Sequence, residues 1–222
     1  MSGAEAMIEA IKEGNEEEVK RLLSEDRGLA KARGSKGESL VLMAVYRGRG
    51  DLAQLLVEVG AQTDLFEACA TGQLERVKEL LAERPGDVNA FAPDGFTPLG
   101  LASFFGHLEV ARRLVAHGAQ VNLASGNDFS VMPLHSAAAG RHTAIVKLLL
   151  ESGAHVDAKQ RSGFTALHSA AHNGQLDMME LLLAHGASLN ERSEEGLTPL
   201  KLAEDRGHVA VAGLLLARGG RL

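Results

Sequence analysis

The sequence, 222 residues long, predicts an all-α repeat solenoid of short helix pairs, read as one domain over 1–222. Three observations carry this reading. A long string recurs along the chain, each copy holds the same helix start and stop signals, and each copy ends in apolar residues at helical spacing.

The string GFTPLGLASFFGHLEVARRLVAHGA from Gly95 returns as GFTALHSAAHNGQLDMMELLLAHGA from Gly163 and GLTPLKLAEDRGHVAVAGLLLARGG from Gly196. A further copy starts at Met132, and weaker ones start at Gly37, Asp64 and Ala6. These give seven units, at about 4–34, 35–63, 64–90, 91–122, 123–157, 158–190 and 191–222. Within a unit, Thr97, Thr165 and Thr198 stand as helix N-caps, and Pro98 and Pro199 take the first helical position, where a missing N–H is harmless. Gly106, Gly174 and Gly207 fall where the first helix must end in a left-handed conformation. A second helix follows, with Ile145, Val146, Leu148 and Leu149 at the spacing of one face.

This pattern closely resembles the ankyrin repeat family, from about Ala4 to Gly220. The resemblance implies antiparallel helix pairs stacked side by side, with connectors projecting as β-hairpin fingers. It also implies that each unit buries its apolar face only against its neighbours, and that finger tips and the last turn of each first helix form a concave binding face.

The repeats are not uniform. Residues 7–64 match 65–122 without a gap, pairing Glu9 with Glu67, Gly14 with Gly72, Val19 with Val77 and Leu56 with Leu114, as a duplicated two-repeat block would. The connector from Ala61 to Leu65 is too short for a finger, so a notch is expected there. That from Ala119 to Leu134 is two residues longer than the regular spacing, so its tip is expected to be longer and more mobile. Arg141 replaces the helix-ending glycine and must accept positive φ or force another turn. A small position in the first helix reads Val45, Cys69, Ser103, Ala138 and Ala171, then Glu204; a charge there suits an end with no further neighbour, so the array is expected to stop as written.

Charge and composition remove several function classes. Lys plus Arg is 23 against 29 Asp plus Glu, a formal net charge of -6, which gives no basic footprint for nucleic acid. No apolar run approaches a membrane span, and the first residues carry no secretory pattern, so a cytoplasmic, membrane-free protein is expected. Cys69 is the sole cysteine; it aligns with small buried residues and reads as a small hydrophobe rather than a nucleophile.

Nine histidines invite a metal reading. By the resemblance, His135 and His168 are structural hydrogen-bonders of a Thr-Pro-Leu-His motif, and His107, His142 and His208 belong to a Gly-His turn. Equivalent positions in stacked helices lie too far apart to share one zinc ion. No phosphate loop, nucleophile elbow or paired catalytic carboxylates occur. The chain is therefore expected to have no catalytic residues, no metal site and no cofactor.

The informative residues are those the repeat leaves unassigned. The aromatics are seven Phe and one Tyr. Phe91, Phe96, Phe104, Phe105, Phe129, Phe164 and Tyr46 fall at or beside finger tips and first-helix ends, whereas Phe66 sits in the framework slot that the family fills with histidine. With Arg47 and Asp94 they form the candidate partner-binding set, and Arg49 and Asp128 extend its charged rim. The competing reading packs Phe96 and Phe164 on neighbouring fingers and turns one of Phe104 and Phe105 inward. The expected function is a protein–protein interaction scaffold or regulator, monomeric, with a protein partner. The alternatives are a self-assembling module, suggested by apolar Val209, Val211 and Leu214–Leu216, or the regulatory subunit of an enzyme encoded elsewhere.

Overall fold

Helix starts follow the expected caps at Thr97 and Thr198, whereas Thr165 caps the helix Ala166–His172 by position alone, its hydroxyl bonded to His168 Nδ1 at 2.9 Å. The Thr97 hydroxyl accepts the Gly100 N–H at 3.0 Å and the Thr198 hydroxyl accepts that of Lys201 at 3.2 Å, satisfying donors that a helix N-terminus leaves open. The computed structural model describes residues 2–34 and 37–222, which divide into two compact units, Met1–Glu83 and Arg84–Leu222.

The first unit holds α1 (Gly3–Glu13), α2 (Glu16–Glu25), a 3₁₀ turn (Arg27–Lys31), α3 (Leu40–Tyr46), α4 (Gly50–Val59), α5 (Leu65–Thr71) and α6 (Leu74–Glu83). The second opens on a 3₁₀ turn (Pro85–Asn89) and continues through α7 (Pro98–Phe105), α8 (Leu108–Ala116), α9 (Pro133–Ala139), α10 (Thr143–Glu151), α11 (Ala166–His172), α12 (Leu176–Ala184), α13 (Pro199–Asp205) and α14 (Val209–Ala217). The helices therefore pair seven times, as the repeat count requires. The two 3₁₀ turns are offset by the same interval as the duplicated block. The expected start of the second repeat at residue 35 lies outside the described residues.

Packing follows the repeat. Ala102, Ala137, Ala170 and Ala203 are fully buried in the first helices of the second unit, where only a small side chain lets neighbouring helices approach. Leu114, Leu149, Leu182 and Leu215 are equally buried in its second helices. Asparagines stitch consecutive repeats: Asn89 Oδ1 accepts the Gln120 N–H at 2.8 Å, Asn122 Oδ1 that of His155 at 2.8 Å, and Asn190 Oδ1 that of Arg221 at 2.7 Å.

Three expectations need refinement. The fingers are hairpin turns with arms too short for a ladder, and among the described residues the bridge between Arg33 and Ser39 is the sole strand-like pairing. Arg141 takes the first of its two options, a positive φ of 67°. Phe66 does not occupy the histidine slot. Asp64, rather than Thr63, caps α5, so the slot shifts by one residue to Glu67, whose buried carboxylate accepts the Asp64 N–H at 2.7 Å. Phe66 is left half-buried beside it. The notch expected after Ala61 is present, since α5 begins five residues after Gly60 ends α4.

Candidate functional site

In the second unit the finger tips line up as a row. Each finger is closed by one backbone pair: Ala92 N–H to Phe96 O at 2.9 Å, Ser125 to Val131 at 2.9 Å, Gln160 to Phe164 at 3.0 Å, and Ser193 to Leu197 at 2.9 Å. Successive tips are then joined, Gly126 N–H to Gly95 O at 2.8 Å, Arg161 to Phe129 at 3.0 Å and Glu194 to Ser162 at 3.0 Å. Gly95 makes the first join possible. Its φ is 86°, and a Cβ there would stand 2.7 Å from the Asn127 nitrogen.

The longer fifth-repeat finger is the centre of this row. Its tip is fastened by side-chain hydrogen bonds on both sides. Asn127 Oδ1 accepts the Phe129 N–H at 3.1 Å and the Ser125 hydroxyl at 2.8 Å, while Asn127 Nδ2 donates to Asp94 O at 2.9 Å. Arg161 donates to Asp128 O at 3.1 Å on the other side. Two extra residues are thus absorbed by a side-chain-bonded tip, with Ser130 in the left-handed region at φ 51°. A non-glycine residue held there marks local strain. The consequence is a Phe129 side chain 66% exposed, projecting beside Phe96, Val131 and Arg161 over a groove of about 380 Å³. On the other side of the same finger, Phe91, 48% exposed, borders a second groove with Asp94, Asn127 and Asp128.

At the helix ends, Phe104 is 43% exposed and Phe105 half-buried, their rings perpendicular with centroids 5.0 Å apart. Such an edge-to-face pair holds both rings in place. Phe164 is placed differently from the other aromatics of the candidate set. It is half-buried and its ring lies 5.1 Å from that of His168, so it packs within its own repeat. Phe96 is also half-buried but keeps an edge on the groove beneath Phe129.

The first unit carries Tyr46 and Arg47. Tyr46, 46% exposed, ends α3 as Phe104 nearly ends α7. Arg47 is exposed and donates to the Lys12 carbonyl at 3.0 Å. Arg49 is engaged by the Gly14 carbonyl and by Asp51, whose carboxyl this guanidinium holds down at about 2. The charged rim on this unit is thus tied to its own backbone and side chains.

A family model for ankyrin repeats matches the chain three times, over residues 43–125, 65–160 and 134–221. The chain belongs to the ankyrin repeat family. It is 36% identical over 103 residues to ankyrin repeat and SAM domain-containing protein 6 of Mus musculus, covering 46% of this chain and 12% of that protein. It is 34% identical over 140 residues to ankyrin repeat and SOCS box protein 16 of Homo sapiens, covering 60% and 30%. A putative ankyrin repeat protein of Rickettsia felis is 33% identical over 134 residues, covering 58% and 57%. The chain therefore spans well under two thirds of these relatives' lengths.

In these ankyrin repeats His135, His142, His168 and His208 are structural. His135 Nδ1 accepts the Met132 N–H at 3.1 Å and its Nε2 donates to Ala158 O at 2.8 Å; His168 does the same with Thr165 at 3.1 Å and Leu197 at 3.1 Å. Burial lowers the pKa of both. His142 and His208 donate across to Phe104 O and His172 O, each at 3.0 Å. Cys69 is buried, and desolvation raises its thiol pKa far from the reactive range. Among the described residues no three His, Cys, Asp or Glu side chains gather to hold a metal ion, and no helix is long and apolar enough to cross a membrane.

Sequence reasoning missed Asn127, Ser130 and Arg161, which shape the central finger. The signal was the two-residue excess in LASGNDFSVM, which located the finger without showing which side chains fasten it.

Proposed function

We propose that this ankyrin repeat protein binds a partner protein through the finger tips and first-helix ends of its second unit, with Phe91, Phe96, Phe104 and Phe129 as anchors. Ankyrin repeats are protein-interaction modules, and a rigid row of fingers offers a surface that loses little entropy on docking. The observation that supports this reading is the exposed aromatic set. Phe91, Phe104 and Phe129 are large apolar side chains kept in solvent although the framework does not need them there, and aromatic anchors dominate interface energetics. Tyr46 and Arg47 offer a separate exposed point on the first unit.

On this reading the protein is a cytoplasmic scaffold or regulator without catalysis of its own, whether or not the partner is an enzyme encoded elsewhere. The test is affinity capture from native extract with wild type beside a Phe91→Ala, Phe104→Ala, Phe129→Ala variant of equal thermal stability. A protein retained by wild type and lost by the variant supports the reading; equal recovery of every protein sinks it.

A further inference from the structure

The second helix of every other repeat keeps a charged outer surface. The fifth residue of that helix is Lys20, Gln54, Lys78, Arg112, Lys147 or Glu180, and each helix carries at least two charges. Helix α14, VAVAGLLLA, carries none, and its fifth residue is Gly213. Val209 is 82% and Leu216 55% exposed. A helix that is apolar all round is ordinarily covered.

Gly213 has no reason within the chain. It sits mid-helix without positive φ, and a Cβ built on it meets nothing within 4 Å. A mid-helix glycine costs about 0.5–1 kcal/mol relative to alanine, with no close neighbour in this chain to offset it. Close approach of another backbone is what a bare Cα permits.

The exposed positions of α14 are Val209, Ala210, Gly213, Leu216 and Ala217, spaced symmetrically about Gly213. We infer that this face pairs with the same face of a second copy, the two α14 helices crossing antiparallel at Gly213. A two-fold axis there sets Val209 of one copy against Ala217 of the other and Ala210 against Leu216, bulky against small in all four places, as a self-complementary interface requires. The ends agree in charge. Asp205 closes α13 beside the start of α14, its carboxylate held by Lys201 of the same helix at 2.5 Å, and Arg218 follows the end of α14, both exposed, so antiparallel pairing brings each Arg218 towards the other copy's Asp205 as a second cation for that carboxylate. A nine-residue helix is only roughly 14 Å long, well short of a standard interface, so the pair is weak, with a Kd in the micromolar range or above. On this inference the chain is monomeric below that concentration and paired above it.

The test is sedimentation equilibrium of the full chain across two decades of concentration spanning the micromolar range. Wild type is expected to move from the monomer mass to twice it. Gly213→Glu, which restores the residue type of the preceding repeat on a solvent-facing position, is expected to weaken association at least about tenfold with an unchanged circular dichroism spectrum. Asp205→Arg and Arg218→Asp are each expected to weaken it, and the double variant to recover it. A wild-type monomer throughout, a dimer indifferent to Gly213→Glu, or a charge swap without recovery would each overturn the inference.

Discussion

His142 Nε2 donates to the carbonyl oxygen of Phe104 at 3.0 Å, so the turn after α9 grips the end of α7 directly behind the exposed phenylalanine. The same oxygen limits what the neighbouring residue can be. Gly140 has an ordinary φ of -73°, yet a Cβ on it would collide with Phe104 O and with the His142 ring.

Gly140→Ala is therefore expected to destabilise the second unit by about 1–3 kcal/mol, the usual cost of overpacking, although alanine is the better helix former. Thermal melts followed by circular dichroism check this. An unchanged or higher midpoint would mean that α7 and α9 stand further apart than the contact requires.

Arg141, the next residue, calls for the opposite change. Its φ of 67° costs a side-chain-bearing residue about 1 kcal/mol. Its exposed guanidinium returns only a 3.3 Å bond to Asn173 O. Arg141→Gly is expected to raise stability by about 0.5–1 kcal/mol, read as a midpoint increase of a few degrees.

The capping histidines set a pH dependence. In His135 and His168, Nδ1 accepts a backbone N–H while Nε2–H donates to a carbonyl, so each ring must be neutral with one fixed tautomer. Burial places the folded pKa below the unfolded value of 6.5. The stabilising contribution is then complete above 6.5 and is lost as pH falls through that value towards the lowered folded pKa. Glu67, in the equivalent slot of the first unit, behaves inversely. Burial raises its pKa above 4.5, so its contribution is complete below 4.5 and is lost as pH rises through the folded value. Glu67→Gln, which keeps the cap acceptor, is expected to melt higher than wild type at pH 7 and to show no advantage at pH 4. The His135→Gln, His168→Gln pair is expected to flatten the loss of stability between pH 7 and pH 5.

The Glu67 case shows where sequence reading stops. Period and punctuation place the helix pairs, because Thr97, Thr198 and Gly106 act through their own local backbone. They do not resolve whether Thr63 or Asp64 caps α5. That choice is settled by tertiary neighbours: Thr63 is drawn to Gln73 at 3.2 Å, leaving Asp64 to the helix. Side-chain exposure is no more local. Phe129 and Phe164 both belong to fingers, yet one projects into solvent and the other lies against His168, and only the packing of the two tips tells them apart.

Asn127 provides the sharpest test of the candidate surface, because it is not one of the proposed aromatic anchors and it fastens the tip from which Phe129 projects. Its side chain makes three hydrogen bonds, to Phe129 N, to the Ser125 hydroxyl and to Asp94 O, and Phe129 projects from the turn they define. Asn127→Ala removes three hydrogen bonds at a half-buried site and is expected to cost about 1–2 kcal/mol without unfolding the array, while hydrogen exchange quickens over residues 125–131. Partner capture should fall as it does for Phe129→Ala, since a preorganised aromatic loses affinity when it must be ordered on binding. Full capture despite faster exchange would show that Phe129 need not be held in place; slow exchange in the variant would show that the backbone joins to Gly95 and Arg161 suffice.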